Sequence, residues 1–83
     1  MAWLLYTRRG CHLCDEAEDL VHLHVPGAAI IDVDADDAAR SRYDLRVPVL
    51  ECDGIVVMEG RFDEAGLVCE IMRHGGTAPP SRP

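Results

Sequence analysis

The chain has 83 residues, a formal charge of −7 and a hydrophobic content of 48%. That length holds one domain with a small core, and the hydrophobic content is too high for a disordered chain. Its eight basic residues are all arginine, which excludes Schiff-base chemistry on a lysine, and an acidic chain with no basic run is a poor nucleic-acid binder.

The first apolar run, residues 2–6 (AWLLY), reads as a fully buried strand. It is too short for a signal-peptide core or a membrane span, so the expectation is a protein of the reducing cytoplasm with no membrane association; a monomer is expected. Arg8, Arg9 and Gly10 break the run. From His12 to about Leu23 the spacing turns helical, with Leu13, Ala17, Leu20, Val21 and His24 inward and Asp15, Glu16, Glu18 and Asp19 outward. Acids in its first turns suit the positive end of the helix dipole, and Val25-Pro26-Gly27 ends it.

Residues 28–34 (AAIIDVD) read as a second strand, and residues 34–43, acid-first and arginine-last, as a short helix. Two apolar runs, 47–52 (VPVLEC) and 55–59 (IVVME), flank Asp53-Gly54 and predict a tight hairpin. Asp63 is placed to cap a last helix whose Leu67, Val68, Ile71 and Met72 face inward and which Gly75-Gly76 stops. The expected order is β-α-β-α-β-β-α in residues 1–74, a four-stranded mixed α/β sheet with helices on both faces. The polar, proline-rich residues 75–83 are expected to form a disordered tail.

Four cysteines are too few for a secreted disulfide scaffold. Two of them, Cys11 and Cys14, lie two residues apart where the first strand gives way to the first helix. Unpaired N–H groups and the helix dipole converge there, and a thiolate at such a place is a reactive nucleophile. Cys14, one turn further in, can close a disulfide onto it, which makes Cys11 the attacking thiol and Cys14 the resolving one. Two other readings stand beside this one. A zinc site needs a second Cys/His pair, for which His22 and His24 are the nearest candidates though they point to different faces. Two inert thiols packed in a helix are the third. Haem attachment is excluded, because Asp15 rather than histidine follows Cys14.

The first strand, the run Arg8-Arg9-Gly10-Cys11-His12-Leu13-Cys14, Val47-Pro48-Val49 ahead of a hairpin, and Glu59-Gly60-Arg61-Phe62-Asp63 at the last helix together resemble the glutaredoxin-like branch of the thioredoxin fold. The resemblance covers about residues 2–74 and implies a thioredoxin-like, glutaredoxin-type fold. It implies a thiol–disulfide oxidoreductase whose catalytic residues are Cys11 and Cys14. A cis Val47–Pro48 bond facing the dithiol is also implied, as is a substrate surface of Arg8, Arg46, Val47, Pro48, Gly60 and Asp63. Substrates of this family are protein disulfides or glutathione mixed disulfides. No metal or organic cofactor is implied, and glutathione enters as a co-substrate. Where the family usually has Pro-Tyr between its cysteines, this chain has His-Leu. Arg46 replaces a threonine, Glu59 replaces a glycine, and Phe62 replaces a small hydroxyl or acidic residue. These replacements predict a poor glutathione site and a dithiol route. A thioredoxin-fold binding module that keeps the dithiol without turnover is the competing function, with a metal-binding domain behind it.

Among the remaining residues, Arg8, Arg9, Arg46 and Arg61 fall on loops at the dithiol end, which suits an anionic substrate, although surface arginines are often simply solvated. His12 adjoins Cys11 and, protonated, would favour its thiolate. Glu59 would oppose the arginines if it approached the site. His22, His24 and His74 read as helix-surface residues, Trp3 and Tyr6 as packing residues, and Cys52 and Cys69 as small buried hydrophobes.

Overall fold

A computed structural model describes residues 2–74. The tail at 75–83 and the Gly75-Gly76 helix stop lie outside the described residues. In chain order the elements are β1 (Trp3–Thr7), α1 (His12–His24), β2 (Ala29–Asp32), a 3-10 turn (Val33–Ala35), α2 (Asp37–Tyr43), β3 (Val49–Cys52), β4 (Ile55–Glu59) and α3 (Glu64–Arg73). The strands form one sheet in the order β2-β1-β3-β4. β1 and β2 are parallel, and the other two pairings are antiparallel.

The two-residue period of the strands sorts the core. Trp3 and Leu5 of β1 and Leu50 and Cys52 of β3 join Ala17 and Val21 of α1 and Leu67 and Ile71 of α3. On the other face Tyr6 and Val49 pack with Val33, Ala39 and Tyr43. Helices α1 and α3 therefore cover one face and α2 the other. Leu5, Leu50 and Leu67 are fully buried, positions where truncation to alanine costs about 2–5 kcal/mol. The hairpin turns at Asp53 (φ 54°) and Gly54 (φ 85°), the two left-handed residues that a type I′ turn requires.

The structure corrects several boundaries and burials. Helix α2 begins at Asp37 rather than residue 34, because two acids compete as caps. The Asp32 carboxylate accepts from the Asp34 N–H at 2.9 Å and starts the 3-10 turn, while that of Asp36 accepts from the Ala39 N–H at 3.1 Å and starts α2. β3 begins at Val49, one residue after Pro48, which has no N–H to give a ladder. Cys69 is exposed, not buried. At 100° per residue it lies about 200° around α3 from Leu67, on the face away from the sheet. Met72, also expected inward, is 68% exposed. His24 is more than a surface residue: its Nε2 lies 2.6 Å from Glu64 Oε2 and ties α1 to α3. His74 sets its ring edge-on to Trp3 at 6.4 Å.

One buried group was not foreseen. Strand alternation turns Glu51 of β3 towards α2, where it is 2% exposed. Its carboxylate accepts from the Tyr6 hydroxyl at 3.3 Å, from the Tyr43 hydroxyl, and from Arg42 Nη2 at 2.5 Å. The Arg42 guanidinium also lies over the Tyr43 ring, 4.8 Å from its centre. Burial first, and then Glu51, holds both phenols above their ordinary 10.0. Tyr6 thus packs and donates at once.

Replacing Glu51 with alanine strands the buried Tyr6 hydroxyl and takes the acceptor from that of Tyr43, which keeps only the N–H it accepts from half-exposed Arg42 at 2.9 Å. Urea unfolding of Glu51→Ala is expected to show a loss of about 2–3 kcal/mol. A loss below about 0.5 kcal/mol, the scale of an ordinary surface substitution, would mean that the cluster holds nothing together.

Candidate functional site

β1 delivers the chain to the site. After Thr7 the backbone turns through Arg8, Arg9 and Gly10, and Gly10 takes φ 76°. A Cβ there would meet nothing within 4 Å, so the demand for glycine is one of backbone conformation alone. Cys11 follows with extended backbone and serves as the N-cap of α1. Its Sγ accepts from the Cys14 N–H at 3.1 Å, and its carbonyl accepts from the Asp15 N–H at 3.0 Å. Sulfur thus occupies the place where a serine or aspartate oxygen usually caps a helix, and the dipole there favours an anion.

The two cysteines differ in surroundings. Cys11 is partly exposed and Cys14 buried, and both are free thiols. Burial pushes the Cys14 thiol from its ordinary 9.0 up to about 12, with help from its hydrogen bond to Cys11 and against a backbone hydrogen bond from Arg8. At neutral pH Cys14 therefore holds its proton.

The remaining residues singled out in the sequence divide into two groups. Pro48 is fully buried and follows a cis Val47–Pro48 bond. Val49 pairs with Tyr6 in the β1–β3 register, so Pro48 lies at the end of the sheet where β1 leaves for Cys11. The Gly60 N–H donates to the Pro48 carbonyl at 2.9 Å, with Gly60 at φ 82°. Three residues on, the Asp63 carboxylate caps α3 by accepting from the Gly66 N–H at 3.1 Å. The structure thus gathers Cys11 with Cys14, and Pro48 with Gly60, at one end of the sheet.

The arginines behave differently. Arg8 grips Asp34 with Nε at 2.9 Å and Nη2 at 3.0 Å, while Nη1 and Nη2 reach the carbonyl and carboxylate of Asp44. The guanidinium in turn holds the Asp34 carboxyl below its ordinary range. Arg46 pairs with Glu59 at 2.8 Å and covers the Tyr43 ring at 5.2 Å. Both charges are committed to internal carboxylates, and Glu59, expected to oppose the arginines, neutralises one of them. Arg9 and Arg61 are exposed. His12 is exposed too, 3.6 Å from Glu16. Among the described residues no group of three or more His, Cys, Asp or Glu could hold a metal ion, and no helix is long and apolar enough to cross a membrane. Neither the Glu51 cluster nor these ion pairs was visible in the sequence, since each joins residues distant along the chain.

A comparison with family models matches residues 3–72 to the Glutaredoxin-like domain (DUF836). The chain belongs to this glutaredoxin-like family. Among solved structures, it resembles the protein XcR50 of X. campestris. The X-ray structure of XcR50 is 33% identical, with a TM-score of 0.73 over 87% of this chain and 97% of that one. Its solution structure is 34% identical, with a TM-score of 0.67 over 95% of this chain and 100% of that one. Protein Ne2328 of Nitrosomonas europaea is 25% identical, with a TM-score of 0.60 over 80% and 85%. A search of curated proteins found no match. The glutaredoxin-like, thioredoxin-type fold is therefore shown by family and by architecture together.

The asymmetry of the pair sets its chemistry with pH. Iodoacetamide at neutral pH should alkylate Cys11 well before Cys14, and peptide mapping of the modified protein reads the order. Faster modification of Cys14 would reverse the two roles. Between about 9 and about 12 the folded chain keeps a Cys14 proton that the unfolded chain has lost, so stability falls as pH rises through that window. Thermal unfolding of Cys14→Ala should show a shallower alkaline decline than the native protein.

Proposed function

We propose that this glutaredoxin-like protein is a thiol–disulfide oxidoreductase that works through Cys11 and Cys14, on protein disulfides in a reducing compartment such as the cytoplasm. The observation that carries this reading is the capping bond: a partly exposed sulfur at a helix N-terminus, 3.1 Å from the backbone N–H of a buried second cysteine. A monomer holds every group that the reaction needs.

The Cys11 thiolate attacks one sulfur of a substrate disulfide; that S–S bond breaks, and the departing thiolate takes a proton from water. Cys11 is left in a mixed disulfide with the other half. Cys14 gives up its proton, attacks the Cys11 sulfur and releases the second substrate thiol. The substrate gains two electrons and the protein ends with a Cys11–Cys14 disulfide. An external thiol or dithiol protein, glutathione among the candidates, returns it to the dithiol. The high proton affinity of Cys14 keeps it from competing as the attacking group, and a mixed disulfide on Cys11 removes the hydrogen-bonding partner that helps hold that proton.

Substrate would lie against Val47, Pro48, Gly60 and Asp63, the surface that the family likeness assigns. Arg8 and Arg46 were expected to hold an anion such as glutathione. Their ion pairs with Asp34, Asp44 and Glu59 weaken that expectation and favour the dithiol route over removal of glutathione. A binding module without turnover is the competing reading.

Cys14→Ser separates these. The dithiol route predicts that this variant loses turnover on a protein disulfide such as insulin and accumulates a mixed disulfide on Cys11, while Cys11→Ser forms none. Removal of glutathione from a mixed disulfide needs only Cys11, so robust turnover of that substrate by Cys14→Ser would overturn the preference for the dithiol route. Absence of any Cys11 adduct would favour the module.

A further inference from the structure

A cleft of about 240 Å³ opens on the α1 face of the sheet, on the side of β1 that carries β2, and its lining includes Arg9 and Asp15, which flank the Cys11–Cys14 segment in the chain. Thr7 and Ile30 come from the two parallel strands, Asp15 and Glu18 from α1, and Asp32 from the end of β2. Cys11, Asp15 and Glu18 stand at i, i+4 and i+7, so helical spacing sets the two acids on the same side of α1 as the attacking cysteine that caps it. This is the opposite flank of β1 from Pro48 and Gly60, which follow the β3 edge.

Three properties define what the cleft can take. Arg8 and Arg9 line it as well, but Arg8 is neutralised by Asp34 and Asp44. That leaves the carboxylates of Asp15, Glu18 and Asp32 against the single uncommitted guanidinium of Arg9. Thr7 is only 7% exposed and lines the cleft, and its hydroxyl is in no side-chain hydrogen bond among the described residues. It is not a sealed orphan, as Trp3 Nε1 is, so its lone pairs are open to an N–H group that enters the cleft. Finally, the volume is below the roughly 300–1,000 Å³ of clefts that enclose whole small molecules, which suits one side chain.

We propose that this cleft is a subsite for a cationic side chain, lysine or arginine, next to the disulfide of a protein substrate. Asp15, Glu18 and Asp32 surround the charge and Thr7 accepts one of its N–H groups. The proposal rests on the dithiol reading for its substrate, and adds that the partner is a basic polypeptide rather than the anion glutathione. An exposed acidic wall acts through encounter and orientation and weakens with salt.

Three disulfides of nearly equal size test it: cystamine (cationic), hydroxyethyl disulfide (neutral) and dithiodipropionate (anionic). Each rate with the protein is divided by that with dithiothreitol, which removes intrinsic reactivity. The ratio of cystamine to hydroxyethyl disulfide also cancels any change in Cys11 itself. At low salt this ratio should be raised about fivefold, and that for dithiodipropionate lowered, with both effects shrinking at high salt. The double variant Asp15→Asn/Glu18→Gln should lose the preference. Asp37→Asn/Glu70→Gln, an equal charge change outside the cleft, should retain it. Equal loss in both would assign the effect to overall charge and overturn the subsite.

A second measurement needs no redox step. Hexane-1,6-diamine, the carbon isostere of cystamine, should shift the Thr7, Asp15 and Glu18 amide resonances, and hexane-1,6-diol should not; Thr7→Val should weaken the diamine response. Diamine binding without reduction of any disulfide would keep the subsite and remove the catalytic reading. Shifts no larger than those from the diol, with a rate ratio equal to that of dithiothreitol, would overturn the subsite whatever the dithiol does.

Discussion

The hydrogen bond from the Cys14 N–H to the Cys11 sulfur is the contact on which the account of this protein turns. It makes one cysteine part of the helix terminus and leaves the other within the first turn, behind it. The placement that goes with this bond makes the pair unequal, chiefly by burying Cys14. The capping sulfur stands at the edge of the fold, while Cys14 is drawn under it against the sheet and holds its proton. The rest of the domain supports that junction. β1, central in the sheet and bonded on both edges, fixes where the turn begins, and Gly10 allows the reversal that brings Cys11 onto the helix axis.

Charge is the second theme. An excess of acid over base leaves few positive charges free, and of the four arginines at the dithiol end Arg8 and Arg46 are consumed internally. Arg8 joins the exit of β1 to the 3-10 turn and to the end of α2. Arg46 joins the loop before Pro48 to the end of β4. These pairs are partly exposed and contribute little to stability one by one. In the proposed function their larger effect would be on recognition, because they reduce the positive field that an anionic thiol would need and leave the α1 acids to face an incoming substrate.

The sequence was most legible where periodicity is forced by burial. Leu5, Leu50, Val21 and Leu67 follow strand or helix spacing, and Asp53-Gly54 has little choice but a tight turn. Dithiol position was legible for the same reason, being a local feature of a strand-to-helix junction. It was less legible where several residues could play one part, as with the acids at 32–37, two of which cap separate turns. Angle rather than composition decided α3. Cys69 looks apolar but falls on the far side of the helix, and Met72 lies past the strip that the sheet covers. Long-range polar pairs were invisible. Nothing near Glu51 in the chain announces that Tyr6 and Arg42 will meet it, since the meeting depends on strand register and on how α2 lies across the sheet.

The central claim is that Cys11 and Cys14 form one reversible couple. Equilibration of the protein in buffers of graded thiol–disulfide ratio, followed by acid quenching and mass mapping of all four cysteines, tests it most directly. The account predicts a single two-electron transition with the disulfide between Cys11 and Cys14 and with Cys52 and Cys69 still reduced. Oxidation that appears first at exposed Cys69, or a Cys11–Cys14 pair that stays reduced throughout, would contradict it.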